Sequence, residues 1–165
     1  MNKHIFRIGI NVIRWGKVIK KFCANDLQSC CDLYIKTFNA PPWNDMWTDE
    51  AALQCLSDLA ERKRFLGYTI WDKNELVGAV FAYTKTFYKG DEIYVDELFV
   101  SPDHQRKGYG LQLMQTLEKY AQTNNITCIT LLTSLHHPSY DFYEKQGYTC
   151  SKNMVFMYKV VKTNA

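Results

Sequence analysis

At 165 residues, 47% hydrophobic and 15% aromatic, the chain is long enough to bury a core without staples and too apolar to be disordered. Its net charge of +3 is uneven: Lys3, Arg7, Arg14, Lys17, Lys20 and Lys21 precede the first acid, Asp26, so residues 22–165 carry −3. Cations and aromatics are not interleaved on a basic face, no apolar run approaches the roughly 18 residues of a membrane span, and the N-terminus lacks a secretory h-region and cleavage site. These features exclude nucleic acid and membrane partners as expectations and leave a cytoplasmic protein.

Residues 1–16 alternate too poorly to assign and are set apart as an N-terminal extension of unknown role. Val18 to Phe22 reads as a strand. Asn25 or Asp26 then caps a helix whose stripe is Leu27, Cys30, Cys31, Tyr34, Ile35 and Phe38. Residues 39–47 follow as a loop, because Pro41 and Pro42 forbid a continuous helix. This loop carries Trp43, Asp45 and Trp47, a set that either plugs the core or forms an aromatic, acidic wall suited to an ammonium group. Thr48 or Asp49 starts a second helix with Leu53, Leu56, Leu59 and Ala60 inward and the run Glu61 to Arg64 on the surface.

Leu66 to Trp71 and Glu75 to Lys85 read as strands joined by a turn at residues 72–74, and a second turn at residues 89–91 leads into a strand from Ile93 to Val100. Ser101 and Pro102 stop it. Apolar residues at Leu113, Met114, Leu117, Tyr120 and Ala121 form one stripe of a helix beginning near Gly110 and ending at Asn124 and Asn125. Ile126 to Thr133 is a strand, Pro138 opens a short helix that Gly147 terminates, and Thr149 to Val161 supplies a final strand or hairpin. The sum is an antiparallel meander followed by β-α-β-α-β: an α/β class with a mixed, mostly antiparallel sheet and about four helices.

Six cysteines form no C-x-x-C pair, and His4, His104, His136 and His137 have no metal-ligand spacing with them. Free thiols are expected, with no metal.

Gln105, Arg106, Lys107, Gly108, Tyr109 and Gly110 lie where a strand empties into a helix. Unpaired first-turn amides, the helix dipole and two cations suit a phosphate there. No third glycine follows at dinucleotide-fold spacing and no GK[ST] follows either, so neither of those phosphate loops applies.

The string Leu98, Val100, Pro102 followed by residues 105–110 resembles the acyl-coenzyme A loop of the Gcn5-related N-acetyltransferases (GNAT). Residues 138–148, PSYDFYEKQGY, resemble the same family's F-Y-E-K-x-G-F/Y segment. The resemblance covers about residues 17–160. It implies one GNAT domain over residues 17–165, acetyl-coenzyme A as cosubstrate and transfer of acetyl to a primary amine of a small cationic substrate, as in the polyamine and aminoglycoside branches. Protein or peptide acetylation, or a silent coenzyme-binding module, are the alternatives, and a homodimer is possible.

By the same resemblance the pantetheine arm runs along the backbone of Leu98, Phe99 and Val100 and the pyrophosphate meets residues 105–110. Tyr143 matches the tyrosine that protonates the departing thiolate. Many relatives have an asparagine where this chain has His136, and His136 or His137 could instead serve as a base. Asp96 and Glu97 are acids inside an otherwise apolar strand, where a charge is costly without a reason. Strand neighbours point to opposite faces, so the two acids differ in environment unless a bulge intervenes. Asp96 matches the acid that handles the amine in small-amine branches; Glu97 also lines the pocket by resemblance.

Overall fold

The structure is a computed structural model, and it describes residues 16–161; the 1–15 part of the N-terminal extension lies outside the described residues. The chain divides into two units, Met1–Leu132 and Thr133–Ala165.

In the first unit a five-stranded sheet has the order β1 (Val18–Lys21), β2 (Phe65–Asp72), β3 (Glu75–Phe87), β4 (Gly90–Val100) and β5 (Cys128–Leu131). β1 to β4 are antiparallel neighbours, and β5 joins β4 in parallel. A parallel neighbour needs a crossover, and α3 (Tyr109–Thr123) supplies it. α1 (Leu27–Phe38) packs on β3 and β4, and α2 (Asp49–Ala60) on α1, β2 and β3. Thr48 caps α2, its hydroxyl accepting from the Ala51 N–H at 3.2 Å.

Between these helices and the sheet lies a core of Cys30, Cys31, Leu33, Tyr34, Ala52, Leu56, Ala79, Phe81 and Phe99. α3 packs on β2, β3 and β4 with Leu113, Met114, Leu117 and Ala121 buried. The expected stripe of α2 is corrected at one position: Leu53 is exposed, because a helix whose Ala52 and Leu56 point inward turns residue 53 toward solvent.

In the second unit α4 (Pro138–Glu144) has Pro138 in its first turn, and Gly147 follows with φ +86°. The Gly147 N–H donates to the Glu144 carbonyl at 2.9 Å and the Tyr148 N–H to that of Tyr143 at 3.1 Å, which closes the helix end. The expected strand or hairpin over Thr149 to Val161 is not formed: those residues carry no ladder, and Met154 to Tyr158, Val160 and Val161 are exposed. Strand propensity expresses fit to a neighbouring strand, and no described strand pairs with this segment.

Among the described residues no helix is long and apolar enough to cross a membrane.

Candidate active site

The central feature is an irregularity in β4. Phe81 of β3 stands opposite Glu97, yet the next residue, Ala82, stands opposite Val95, so Asp96 is an extra residue without a partner. This β-bulge suspends the alternation that would send Asp96 and Glu97 to opposite faces. Phe81 belongs to the core under α1 and α2, and both acids find partners on that side.

The partners differ. Glu97 Oε1 accepts a hydrogen bond from the Tyr34 hydroxyl of α1 at 3.1 Å. Burial pushes its carboxyl up from 4.5 to about 7; Tyr34 opposes the rise, while Asp96 and Asp45 add to it. Asp96 instead receives Arg62, whose Nη1 lies 2.9 Å from both carboxylate oxygens. The Asp96 carboxyl is also raised by burial, but Arg62 works against that rise. The Arg62 guanidinium sits 4.4 Å from the centre of the Tyr83 ring, so it is fixed by a face as well as by a charge. Arg62 and Tyr34 were both missed in the sequence, one read as part of a solvated charge run and the other as core.

The 39–47 loop reaches the same place. Trp47 stands edge-on to Tyr34 with ring centres 5.0 Å apart, and Trp43 packs on Phe38 at 5.5 Å. Trp47 Nε1–H donates to Asp45 Oδ2 at 3.2 Å. The Asn39 side chain pins the loop, donating to the Trp47 carbonyl at 2.9 Å and accepting from its N–H at 2.8 Å. The tryptophans back the core, while Asp45 stays exposed and acts electrostatically on Glu97.

β5 pairs only with Glu92 to Val95, whereas β4 continues to Val100. The outer edge of β4 at Leu98, Phe99 and Val100 thus has no ladder partner among the described residues, and Gln105 Nε2 donates to the Val100 carbonyl at 3.2 Å. Beyond it the chain turns through Arg106 (φ +62°) and Gly108 (φ +82°) into the N-terminus of α3. Tyr109 is buried, its hydroxyl donating to Asp72 Oδ2 at 2.6 Å. Lys107 Nζ donates to the Asp103 carbonyl at 2.8 Å. Gly110 opens the helix inside its first turn. An extended arm could add to the β4 edge and end with an anion over the first turn of α3.

Tyr143 lies in α4, its ring 5.0 Å from Phe142 and 5.5 Å from Tyr148. His137 occupies the position just before that helix, and His136 is exposed. Among the described residues no group of three or more His, Cys, Asp or Glu could hold a metal ion.

Comparison with curated proteins found no match. Among solved structures the chain is similar to a possible acetyltransferase from Clostridium difficile (TM-score 0.74, 15% identity, 88% of this chain and 99% of that one). It is also similar to an aminoglycoside 6'-N-acetyltransferase from Acinetobacter haemolyticus (0.70, 18%, 88% and 99%). A third similar structure is AAC(6')-Iy in complex with a bisubstrate analogue, CoA-S-monomethyl-acetylneamine (0.70, 14%, 88% and 99%). A family model described as acetyltransferase (GNAT) family matches residues 27–148, which include the bulged strand and the loop before α3; the chain belongs to the acetyltransferase (GNAT) family.

Proposed function

We propose that this acetyltransferase transfers acetyl from acetyl-coenzyme A to a primary amine of a small cationic molecule, with Glu97 as the general base. The observation that carries this reading is the Glu97 carboxyl, pushed up to about 7 behind an aromatic loop bearing Asp45. A base works best when its pKa lies near the working pH, since it is then both available and strong enough to take a proton. Asp96, held by Arg62 through both oxygens, is occupied and serves to keep Arg62 and the bulge in place while adding negative potential.

In this scheme the acceptor arrives as an ammonium drawn by Asp45, Asp96 and Glu97, with the Trp43 and Trp47 loop as a wall. Glu97 takes one proton, directly or through water. The freed nitrogen lone pair attacks the thioester carbonyl and the N–C bond forms; as the C–S bond breaks the sulfur takes a proton from the Tyr143 hydroxyl, and the second proton leaving the nitrogen passes through solvent to the Tyr143 phenolate, which restores it. The β4 edge from Leu98 to Val100 would receive the pantetheine arm, and residues 105–110 the pyrophosphate. The amine class is supported by the aminoglycoside acetyltransferases among the similar structures and by the acids in the site.

The test is release of free thiol from acetyl-coenzyme A over a panel of polyamines, aminoglycosides, amino acids and peptides. Turnover is expected with small polycations. Turnover confined to peptides would make this a peptide acetyltransferase, and coenzyme binding with no turnover would make it a silent module.

A further inference from the structure

The α1 stripe contains a phenol where packing asks only for a ring. Tyr34 is buried among Phe38, Trp47 and Phe99, with ring centres 4.5, 5.0 and 5.2 Å away, the latter two edge-on. Three rings on different elements leave it one orientation, and that orientation brings its hydroxyl to Glu97 Oε1 at 3.1 Å. A carboxylate on a long side chain otherwise turns about its last torsion with little preference. Resting on the reading of Glu97 as the base, we propose that Tyr34 is a positioning residue: its hydroxyl holds Oε1 and thereby makes Oε2 the oxygen that meets the amine.

The surroundings of Glu97 support a one-way contact. Four groups face it: Tyr34 from α1, Cys55 from α2, Asp45 from the 39–47 loop and Asp96 from its own strand, the last held by Arg62. Burial and then Glu97 push the Tyr34 hydroxyl far above its ordinary range, so it always donates and never competes for the substrate's proton. Burial and then Glu97 also push the Cys55 thiol up, which leaves it uncharged beside the acid. Burial, Asp96 and Asp45 all favour the protonated carboxyl, and Tyr34 alone opposes them. The phenol thus has a second effect: it keeps enough of Glu97 in the carboxylate form at neutral pH to act. Because the same ring carries Trp47, the contact also ties the base to the acceptor wall.

The experiment needs no acceptor, since the proton is the probe. The full chain is labelled with carboxyl-13C glutamate, and the Glu97 signal is identified as the one missing from Glu97→Gln. Its midpoint, near 7 in the native chain, should rise in Tyr34→Phe by on the order of one pH unit, the worth of one hydrogen bond to a charged group. Replacing the tyrosines biosynthetically with 3-fluorotyrosine keeps the packing and strengthens the donor, so the midpoint should fall. A role in packing alone would lower the melting temperature of Tyr34→Phe and leave the midpoint in place, which would overturn the inference. The two readings fail separately. Normal acetylation by Glu97→Gln sinks the base assignment and with it the catalytic sense of Tyr34; collapse of Glu97→Gln with an unmoved midpoint in Tyr34→Phe sinks Tyr34 alone.

Discussion

The bulge side of β4 and the loop ahead of α3 use different materials. Around Glu97 the site is made of side chains: a phenol, a guanidinium, three carboxylates and two indoles, each held by a named contact. Around residues 105–110 it is made of main chain. Tyr109 points into the body of the unit, Lys107 is turned onto the Asp103 carbonyl, and what the loop presents is its path through two positive-φ residues into a helix start. The first region should therefore respond to a change of functional group at constant shape, and the second to a change of backbone preference at any side chain.

The largest effect expected is at Glu97. Glu97→Gln keeps the shape and removes the base, so kcat/KM should fall by about 10²–10⁴-fold, and the rise in rate through pH 7 should disappear. A normal profile would erase the contrast between the regions. Tyr143→Phe should hold coenzyme affinity while turnover falls by about 10²-fold, the usual loss of a general acid; turnover within about twofold of the native enzyme would return Tyr143 to packing.

Gly108→Val examines the other region. A Cβ there would meet only Gln112 Nε2, at 3.9 Å, so space is no obstacle; the φ of +82° is. Forcing a β-branched residue into that conformation costs about 1–3 kcal/mol, and coenzyme affinity measured by calorimetry should weaken by about tenfold or more. Unchanged affinity would mean that the loop does not hold the coenzyme. Lys107→Ala should do far less, about threefold or below at physiological salt, as expected of an exposed charge.

A further effect is in stability. Since the folded carboxyl of Glu97 titrates at about 7 rather than 4.5, the native state binds a proton more tightly than the unfolded chain. That stabilisation is complete below 4.5 and is lost as pH rises through 7. Glu97→Gln should therefore melt at a higher temperature than the native chain at pH 8, by on the order of 3 kcal/mol in stability, and gain little or nothing at pH 4. An equal gain at both pH values would mean that Glu97 is not strained by burial.

Most of the first unit was legible because its signals are local. Periods of three and four located α1 and α3, the turns at residues 72–74 and 89–91 bounded β3, and Gly110 placed the start of α3 to within one residue. The partners of the acids were not legible, because they come from far along the chain: Arg62 lies 34 residues from Asp96, and Tyr34 lies 63 from Glu97. Nothing in a run of Glu61 to Arg64 says that Arg62 will meet Asp96 or that Arg64 will meet Thr86 and Asp91, all on strands. Tyr34 carried the only usable hint, a hydroxyl within an apolar stripe. The segment from Thr149 to Val161 misled for a related reason: its β-prone composition says what it could pair with, and pairing depends on a neighbour that local sequence does not name.

The bulge ties the acid site to the length of the strand. On either side of Asp96 the ladder with β3 is regular, with Phe81 against Glu97 on one flank and Ala82 against Val95 on the other. Removing that single residue would join the flanks into an unbroken strand with both registers unchanged and every other side chain still on its present face. The acid site thus depends on chain length as much as on side-chain chemistry: the one extra residue places a second carboxylate on the same side as the first while the ladder keeps its register on both flanks. A deletion of Asp96 should accordingly fold, with an unbroken ladder in place of the bulge.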